Sequence, residues 1–360
     1  MKKNLLATAM ALATIVTTAT AQQHHRLWYA RPASHWLEAL PVGNSTLGAM
    51  VYGGTDTEEI QLNEETFWSG QPHDNNSHES LDVLPEVRRL IFAGKEYEAS
   101  KLIDQHFVKG PHGMRFLPLG SLKLHFGHTD VTGYERALNL ADATATTTYT
   151  CQGVKYERTV FASLADSVII VHLEASKKGA LSFEVGYHGQ CPTLVKAQNR
   201  SQCPLTEGKN IQGAQLTATV QGVEKEGIDA GLTSECVADV RADGAVTALV
   251  NSIQVKGATE ATIYLSAATN YVNFHDVSGD PSAKNKRRLA SAETRRFKQL
   301  LARHIGQYSE QYNRVTLSLA KNQNSALETD KRVAAFEKDA TDLDLVSLMM
   351  QYGRYLLISS

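Results

Sequence analysis

From residue 22 to about Tyr271 the chain consists of short runs that alternate apolar and polar residues or concentrate Val, Ile, Thr and aromatics. "SLKLHFG", "VKYERTVF", "SVIIVHLEA", "ALSFEVGYH", "QLTATVQGV" and "ATIYLSAAT" are the clearest. A period of two sends alternate side chains to opposite faces, so each run can bury one face of a sheet and wet the other. Turn residues such as Gly127, Gly153, Gly179 and Gly257 separate the runs at short intervals. With no long helices between strands, this pattern argues against a parallel α/β sheet. It predicts a mainly β fold, a large antiparallel sandwich over residues 22–277. One insertion breaks it: residues 84–107 carry helical spacing interrupted at Gly94, which predicts two short helices.

Past residue 278 the period changes. "SGDPSAKNKRR" is a polar boundary, and its basic residues read as a solvated linker or the start of a helix. Residues 289–312 show helical spacing through Phe297, Leu300, Leu301, Ile305 and Tyr308. "NRVTLSLA" reads as a short extended return, residues 321–326 as a polar loop, and residues 331–338 as a helix. The last stretch, "DLDLVSLMMQYGRYLLISS", carries two adjacent apolar stripes. Leu345, Met349, Tyr352 and Leu356 form one; Val346, Met350, Gly353 and Leu357 form the other. So wide an apolar arc belongs inside a larger body. A single neighbouring helix cannot cover it, and an uncovered part is expected to fray or to seek a partner.

The first residues read as a targeting segment. Lys2 and Lys3 precede an apolar core from Leu5 to Val16, and Ala19-Thr20-Ala21 has the form of a cleavage site. The expectation is a signal peptide over residues 1–21, a mature start at Gln22, and export to the periplasm or medium without a lipid or membrane anchor. A formal net charge of -2 on 360 residues argues against nucleic acid as partner. Export permits disulfides. Cys151, Cys191, Cys203 and Cys236 fit either free thiols or, for Cys191 and Cys203, a bridge across a polar stretch. No Cys/His spacing suggests zinc, and the scattered histidines predict no metal and no cofactor.

Chemistry concentrates in "EEIQLNEETFWSG", where a strand runs into Asn63, Glu64, Glu65 and Trp68. Sugar rings stack apolar faces on indoles and need fixed acceptors and donors for their hydroxyls. Asn63, Glu64 and Trp68 are therefore the candidate substrate-binding residues; the competing reading is a loop packed by its own side chains. Glycoside hydrolysis needs two carboxylates flanking one bond. Glu64 and Glu65 are adjacent, and on a strand they face opposite ways. Glu38 and Glu64 meet only if folding brings them together. No catalytic pair, nucleophile elbow, phosphate loop or H-E-x-x-H motif is present.

The stretch "WLEALPVGNSTLGAMVYGG...EEIQLNEETFWSGQP" resembles the N-terminal domain of glycoside hydrolase family 95, the α-L-fucosidase family. The resemblance continues through "LPLGSLKLHF", residues 134–175, "AATNY", "NRVTLSL", "TDKRV" and "QYGRYLLISS". It departs at Ser45 and Thr46, where the family favours a longer glycine-bearing turn, and at Leu117, Ser121 and Thr159. The resemblance implies a β-sandwich, a helical linker over residues 278–340, and from residue 341 the first helix of an (α/α)6 barrel. It also implies inverting hydrolysis of terminal α-fucosyl residues of glycans. The family's acid and base follow the "GRYLLISS" helix, so no residue here inherits a catalytic role. The implied partners are a fucosylated glycan and the missing remainder of the barrel. Two other readings are a stand-alone carbohydrate-binding sandwich and an α-L-galactosidase of the same fold.

Overall fold

The structure, a computed structural model, describes residues 26–107, 109–111, 113–200 and 211–360. The expected signal segment and Cys203 lie outside the described residues. The strand Thr57–Glu64 shows how the sandwich is built: Glu58, Ile60, Leu62 and Glu64 point inward and are buried, while Glu59, Gln61 and Asn63 face outward.

Two antiparallel sheets form in this way. The nine-stranded sheet runs in the order Arg26–Tyr29, Val131–Asn139, Thr144–Cys151, Val154–Ser163, Val168–Ala175, Glu260–Thr269, Thr233–Ala242, Gln212–Gln221, Thr193–Asn199. The seven-stranded sheet runs Ala245–Ala248, Ile253–Ala258, Leu181–His188, Gly120–His125, Thr57–Glu64, Leu47–Val51, Leu40–Gly43. Their inner faces share one core, with Ile60, Leu62, Leu122, Leu124 and Val185 opposite Leu138, Val171, Leu216, Val240 and Ile263. The hairpin turn between the last two strands of the smaller sheet holds Ser45 at a φ of 68°, where the family resemblance leads one to expect glycine.

Six α-helices form among the described residues, and the helical spacing read over residues 289–312 divides between two of them, with a break at residues 293–296. Helices α1 (Ser80–Phe92) and α2 (Glu96–His106) form the expected insertion, break at Gly94, and share a small core of Val87, Leu90 and Ala99. Helices α3 (Pro281–Ala292) and α4 (Phe297–Tyr312) cover the outer face of the nine-stranded sheet. Leu289, Ala292 and Leu300 pack there on Phe161, Val168, Ile170, Val237 and Tyr264. That second cover explains why Val168–Ala175 is buried at every position but Glu174: a sheet covered on both sides needs apolar residues on both.

The basic run at 284–288 is not a solvated linker. It lies in α3, which starts at an Asp280 cap and Pro281. Lys284 Nζ donates to the carbonyls of Thr269 (3.0 Å) and Tyr271 (2.6 Å), and Arg288 Nη1 donates to that of Ala267 (2.6 Å). The expected extended return at 313–320 pairs with no strand. Its backbone is held by side chains: Leu319 N donates to Ser347 Oγ, and Arg354 Nη1 donates to the Val315 carbonyl.

Helix α5 (Thr329–Phe336) lies beside the Arg26–Tyr29 strand, and Trp28 N donates to Thr329 Oγ1 at 2.9 Å. Helix α6 (Leu343–Ser359) is capped by Asp342, which with Asp344 binds the buried Arg332. Its buried face is neither apolar stripe. Asp344, Ser347, Leu348, Gln351, Tyr355 and Ser359 point inward, and Met349 and Leu357 are 74% and 79% exposed. The reason is what α6 rests on. It meets backbone at the ends of strands, where Tyr355 Oη donates to the Pro41 carbonyl (2.6 Å) and Ser45 N to the Ser359 carbonyl (3.1 Å). Small and polar side chains suit a surface of carbonyls and amides better than leucines do.

Candidate functional site

The same period of two that builds the Thr57–Glu64 strand separates two of the three candidate residues. Asn63 faces outward, opposite Gly48, and Glu64 faces inward and is buried. Burial pushes the Glu64 pKa up, opposed by hydrogen bonds to Oε2 from Thr66 N (2.8 Å) and Thr66 Oγ1 (2.7 Å). Glu64 thus shapes the turn that follows the strand. Glu65 N donates to the Thr46 carbonyl, Phe67 plunges fully into the core, and Trp68 emerges on the surface, 40% exposed. Burying Phe67 contributes roughly 1.5–3 kcal/mol and fixes the direction of its neighbour.

Trp68 is held as a rigid wall. Its Nε1 donates to the Glu65 carbonyl at 2.9 Å, and its ring meets Phe116 at 5.1 Å with a 57° tilt. The backbone after it is tied on two sides, Ser69 N to the Arg115 carbonyl and Gly70 N to the Val223 carbonyl. Gly70 sits at a φ of 71°, the left-handed region that favours glycine, with the Met114 side chain packed against it.

Trp68 lines a cleft of about 530 Å³ together with Glu65, Gln71, Met114, Tyr271 and Phe274. The far wall belongs to the "AATNY" segment and the loop after it. Asn270 fastens that loop by accepting from Thr233 N and donating to the carbonyls of Gly231 and Val277. Thr66 Oγ1 and Thr269 Oγ1 join the two walls by a short hydrogen bond. Phe274 is 72% exposed, and Glu65 and Gln71 are exposed. The cleft therefore offers aromatic surface, a carboxylate and a side-chain amide. Of the three sequence candidates only Trp68 is here. Sequence reasoning missed Glu65 as a cleft residue, and missed Gln71, Met114, Tyr271 and Phe274. "AATNY" was visible as a motif, but nothing local joins it to "FWSG", 203 positions away along the Thr66–Thr269 contact.

Glu38 and Glu58 do not form an acid–base pair with Glu64. Glu38 is gripped by Arg31 (Nη2 to Oε1, 2.8 Å) and by Ser34 N (2.8 Å), and the Arg31 hydrogen bonds hold its pKa down to about 2. A carboxylate so held stays ionised and is a poor proton donor. It shares no partner with Glu64. Glu58 forms a buried ion pair with Arg158 inside the sandwich. Among the described residues no cluster of His, Cys, Asp and Glu is arranged to hold a metal ion. Cys151 and Cys236 are buried thiols; the suggested partner of Cys191 is Cys203, outside the described residues. No described helix is long and apolar enough to cross a membrane.

Residues 27–274 match the glycosyl hydrolase family 65 N-terminal domain, and residues 296–360 match the glycosyl hydrolase family 95 catalytic domain. Among curated proteins, "Alpha-L-fucosidase 2" of Arabidopsis thaliana is 33% identical over 93% of this chain and 42% of its own length. "Probable alpha-fucosidase A" of Aspergillus oryzae is 27% identical over 93% of this chain and 47% of its own. The chain thus spans less than half the length of these relatives. Among solved structures, a human-microbiome protein described as a kojibiose phosphorylase superposes with a TM-score of 0.50 at 8% identity, covering 94% of this chain and 42% of that one. At that identity the likeness is one of fold.

Proposed function

From the premise that the chain belongs, through residues 27–274, to the glycosyl hydrolase family 65 N-terminal-domain family, and with residues 296–360 to the family 95 catalytic domain, we propose that it is the N-terminal part of an exported α-L-fucosidase-type glycoside hydrolase. The observation that carries the reading is the 33% identity to "Alpha-L-fucosidase 2" over 93% of the chain. The substrate class is a glycan with terminal α-fucosyl residues. The reaction is an inverting hydrolysis in which one carboxylic acid protonates the leaving oxygen and a water attacks from the opposite face of the ring.

The side chains described here support that division of labour. Glu38, Glu58 and Glu64 are each consumed by structural partners, so acid and base come from catalytic-domain residues other than these. The exposed face of α6, with Met349 and Leu357, is the surface on which further helices of that domain would pack. The signal-like first 21 residues support export, and mass spectrometry of secreted material is expected to find Gln22 as first residue.

The test is release of fucose from an α-1,2-fucosylated oligosaccharide by a protein carrying the complete catalytic domain and by residues 22–360 alone. Release by the longer protein, with β-fucose as the first anomer seen by NMR, is expected; residues 22–360 are expected to release none. Turnover by the short form above a heat-killed control overturns the assignment of acid and base to other residues. No turnover by the long form overturns the hydrolase reading.

A further inference from the structure

We propose that the Trp68 cleft is a carbohydrate-binding site in its own right, which holds a neutral pyranose unit without help from the hydrolytic machinery. The inference rests on the glycan-hydrolase reading for its ligand class, but its geometry is independent of it. Three exposed or half-exposed rings, Trp68, Tyr271 and Phe274, surround a cleft of about 530 Å³. That volume lies within the range of small-molecule sites, roughly 300–1,000 Å³. An aromatic face left in water at a concave surface is what the apolar face of a sugar ring covers. Trp68 is already oriented, because its Nε1 is spent on the Glu65 carbonyl and its ring leans on Phe116. Little side-chain freedom is then lost when a sugar stacks, which favours binding.

The polar lining selects the ligand further. Glu65 and Gln71, both exposed, offer acceptors and a donor to ring hydroxyls. Among the described residues Glu65 is the one charged side chain lining the cleft. An acidic sugar would meet the Glu65 carboxylate inside the cleft, whereas Arg288, a cation that acts on Glu65, lies outside the lining with its Nη1 on the Ala267 carbonyl. The site is therefore assigned to neutral hexose or deoxyhexose units and set against uronic and sialic acids. The walls are braced from outside the cleft: Lys284 Nζ binds the Tyr271 carbonyl, Asn270 ties the 271–277 loop, and Gly70 fits under Met114. A site held open in this way exists before the ligand arrives.

The experiment is isothermal titration and saturation-transfer NMR of the full chain with lactose, 2′-fucosyllactose and 3′-sialyllactose. Saturable binding of the two neutral sugars is expected, with the sialylated one weaker. Trp68→Ala and Phe274→Ala are each expected to weaken neutral binding about tenfold. Trp68→Phe is expected to keep most of it, and Glu65→Gln to narrow the gap to 3′-sialyllactose. Trp36→Ala, at an exposed Trp that does not line the cleft, is expected to change nothing. Phe274 is 72% exposed, so its variant tests the site even where Trp68→Ala lowers the melting temperature. No saturable binding of either neutral sugar, undiminished binding by both alanine variants, or a preference for 3′-sialyllactose overturns the proposal. If binding fails while the longer protein still releases fucose, only this site is lost; if binding holds while hydrolysis fails, only the hydrolase reading is lost.

Discussion

At the scale of single residues, Glu64 shows what a motif can and cannot tell. "NEETFWSG" marks a functional-looking cluster, and Trp68 does line a cleft. Yet the strand period sends Asn63 and Glu64 to opposite faces, and the inward one closes a turn. The period was legible; the residue at which the strand ends, and hence the direction of Glu65, was not. Glu64→Ala leaves the half-buried Thr66 amide without its acceptor and is expected to cost about 1 kcal/mol in urea unfolding. Glu64→Gln keeps an oxygen for both Thr66 donors and removes a charge that burial disfavours. Because folding raises the Glu64 pKa, the unfolded state ionises first as pH rises, and the wild type loses stability through that window. The Gln variant is expected to lack this loss. A Gln variant that unfolds as early as the Ala variant contradicts the role given to Thr66.

At the scale of elements, the helices announced themselves by spacing, and α6 by its density of apolar residues. What spacing could not show is which face α6 buries. That depends on the hairpin turn beneath it, whose backbone groups bond the helix beside the core contacts of Leu348 and Tyr355. Gly43 is the point of closest approach: a Cβ there would sit 2.5 Å from the Ser359 carbonyl oxygen. Backbone must move to admit it, so Gly43→Ala is expected to lift the last turn of α6 and cost about 1–3 kcal/mol. Hydrogen exchange checks this, with faster exchange expected at Ser359 and its preceding turn and little change in the central strands. Gly353 in the same helix meets nothing within 4 Å, so Gly353→Ala is expected to stabilise by up to about 1 kcal/mol. Equal exchange in the two variants would show that the hairpin contact does not hold the helix.

At the scale of the whole molecule, the sandwich was legible because period-two runs without long helices leave few alternatives. The strand order and the helical cover on the nine-stranded sheet were not, since long-range pairing leaves no local mark. The seam between cover and sheet carries its own pH sensitivity. His304 of α4 is almost fully buried against Phe161 (4.7 Å), its Nε2 is 3.3 Å from the Ala143 carbonyl, and burial pulls its pKa down to about 4. The folded state therefore wants it neutral. Stability is full above the ordinary histidine range, falls as the unfolded chain takes up its proton, and stops falling below about pH 4. The loss amounts to about 3 kcal/mol. Melting temperatures from about pH 8 to about pH 4 are expected to fall less in His304→Phe than in wild type; parallel curves would assign the acid sensitivity elsewhere, with His172 the next group to test.

The contact between Trp28 and Thr329 joins positions 301 residues apart, and that between Tyr355 and Pro41 joins positions 314 apart. On a ribosome this makes the first described strand the longest to wait. Arg26–Tyr29 emerges early, gains its lateral neighbour only when the segment around Glu135 follows 109 residues later, and gains its helical cover last of all. Non-local pairing of this kind folds slowly, because chain entropy is lost before the contacts that repay it can form. Until α5 and α6 arrive, a β-edge and a hairpin turn stand open to other chains, so the nascent protein stays prone to aggregate until those two helices have emerged.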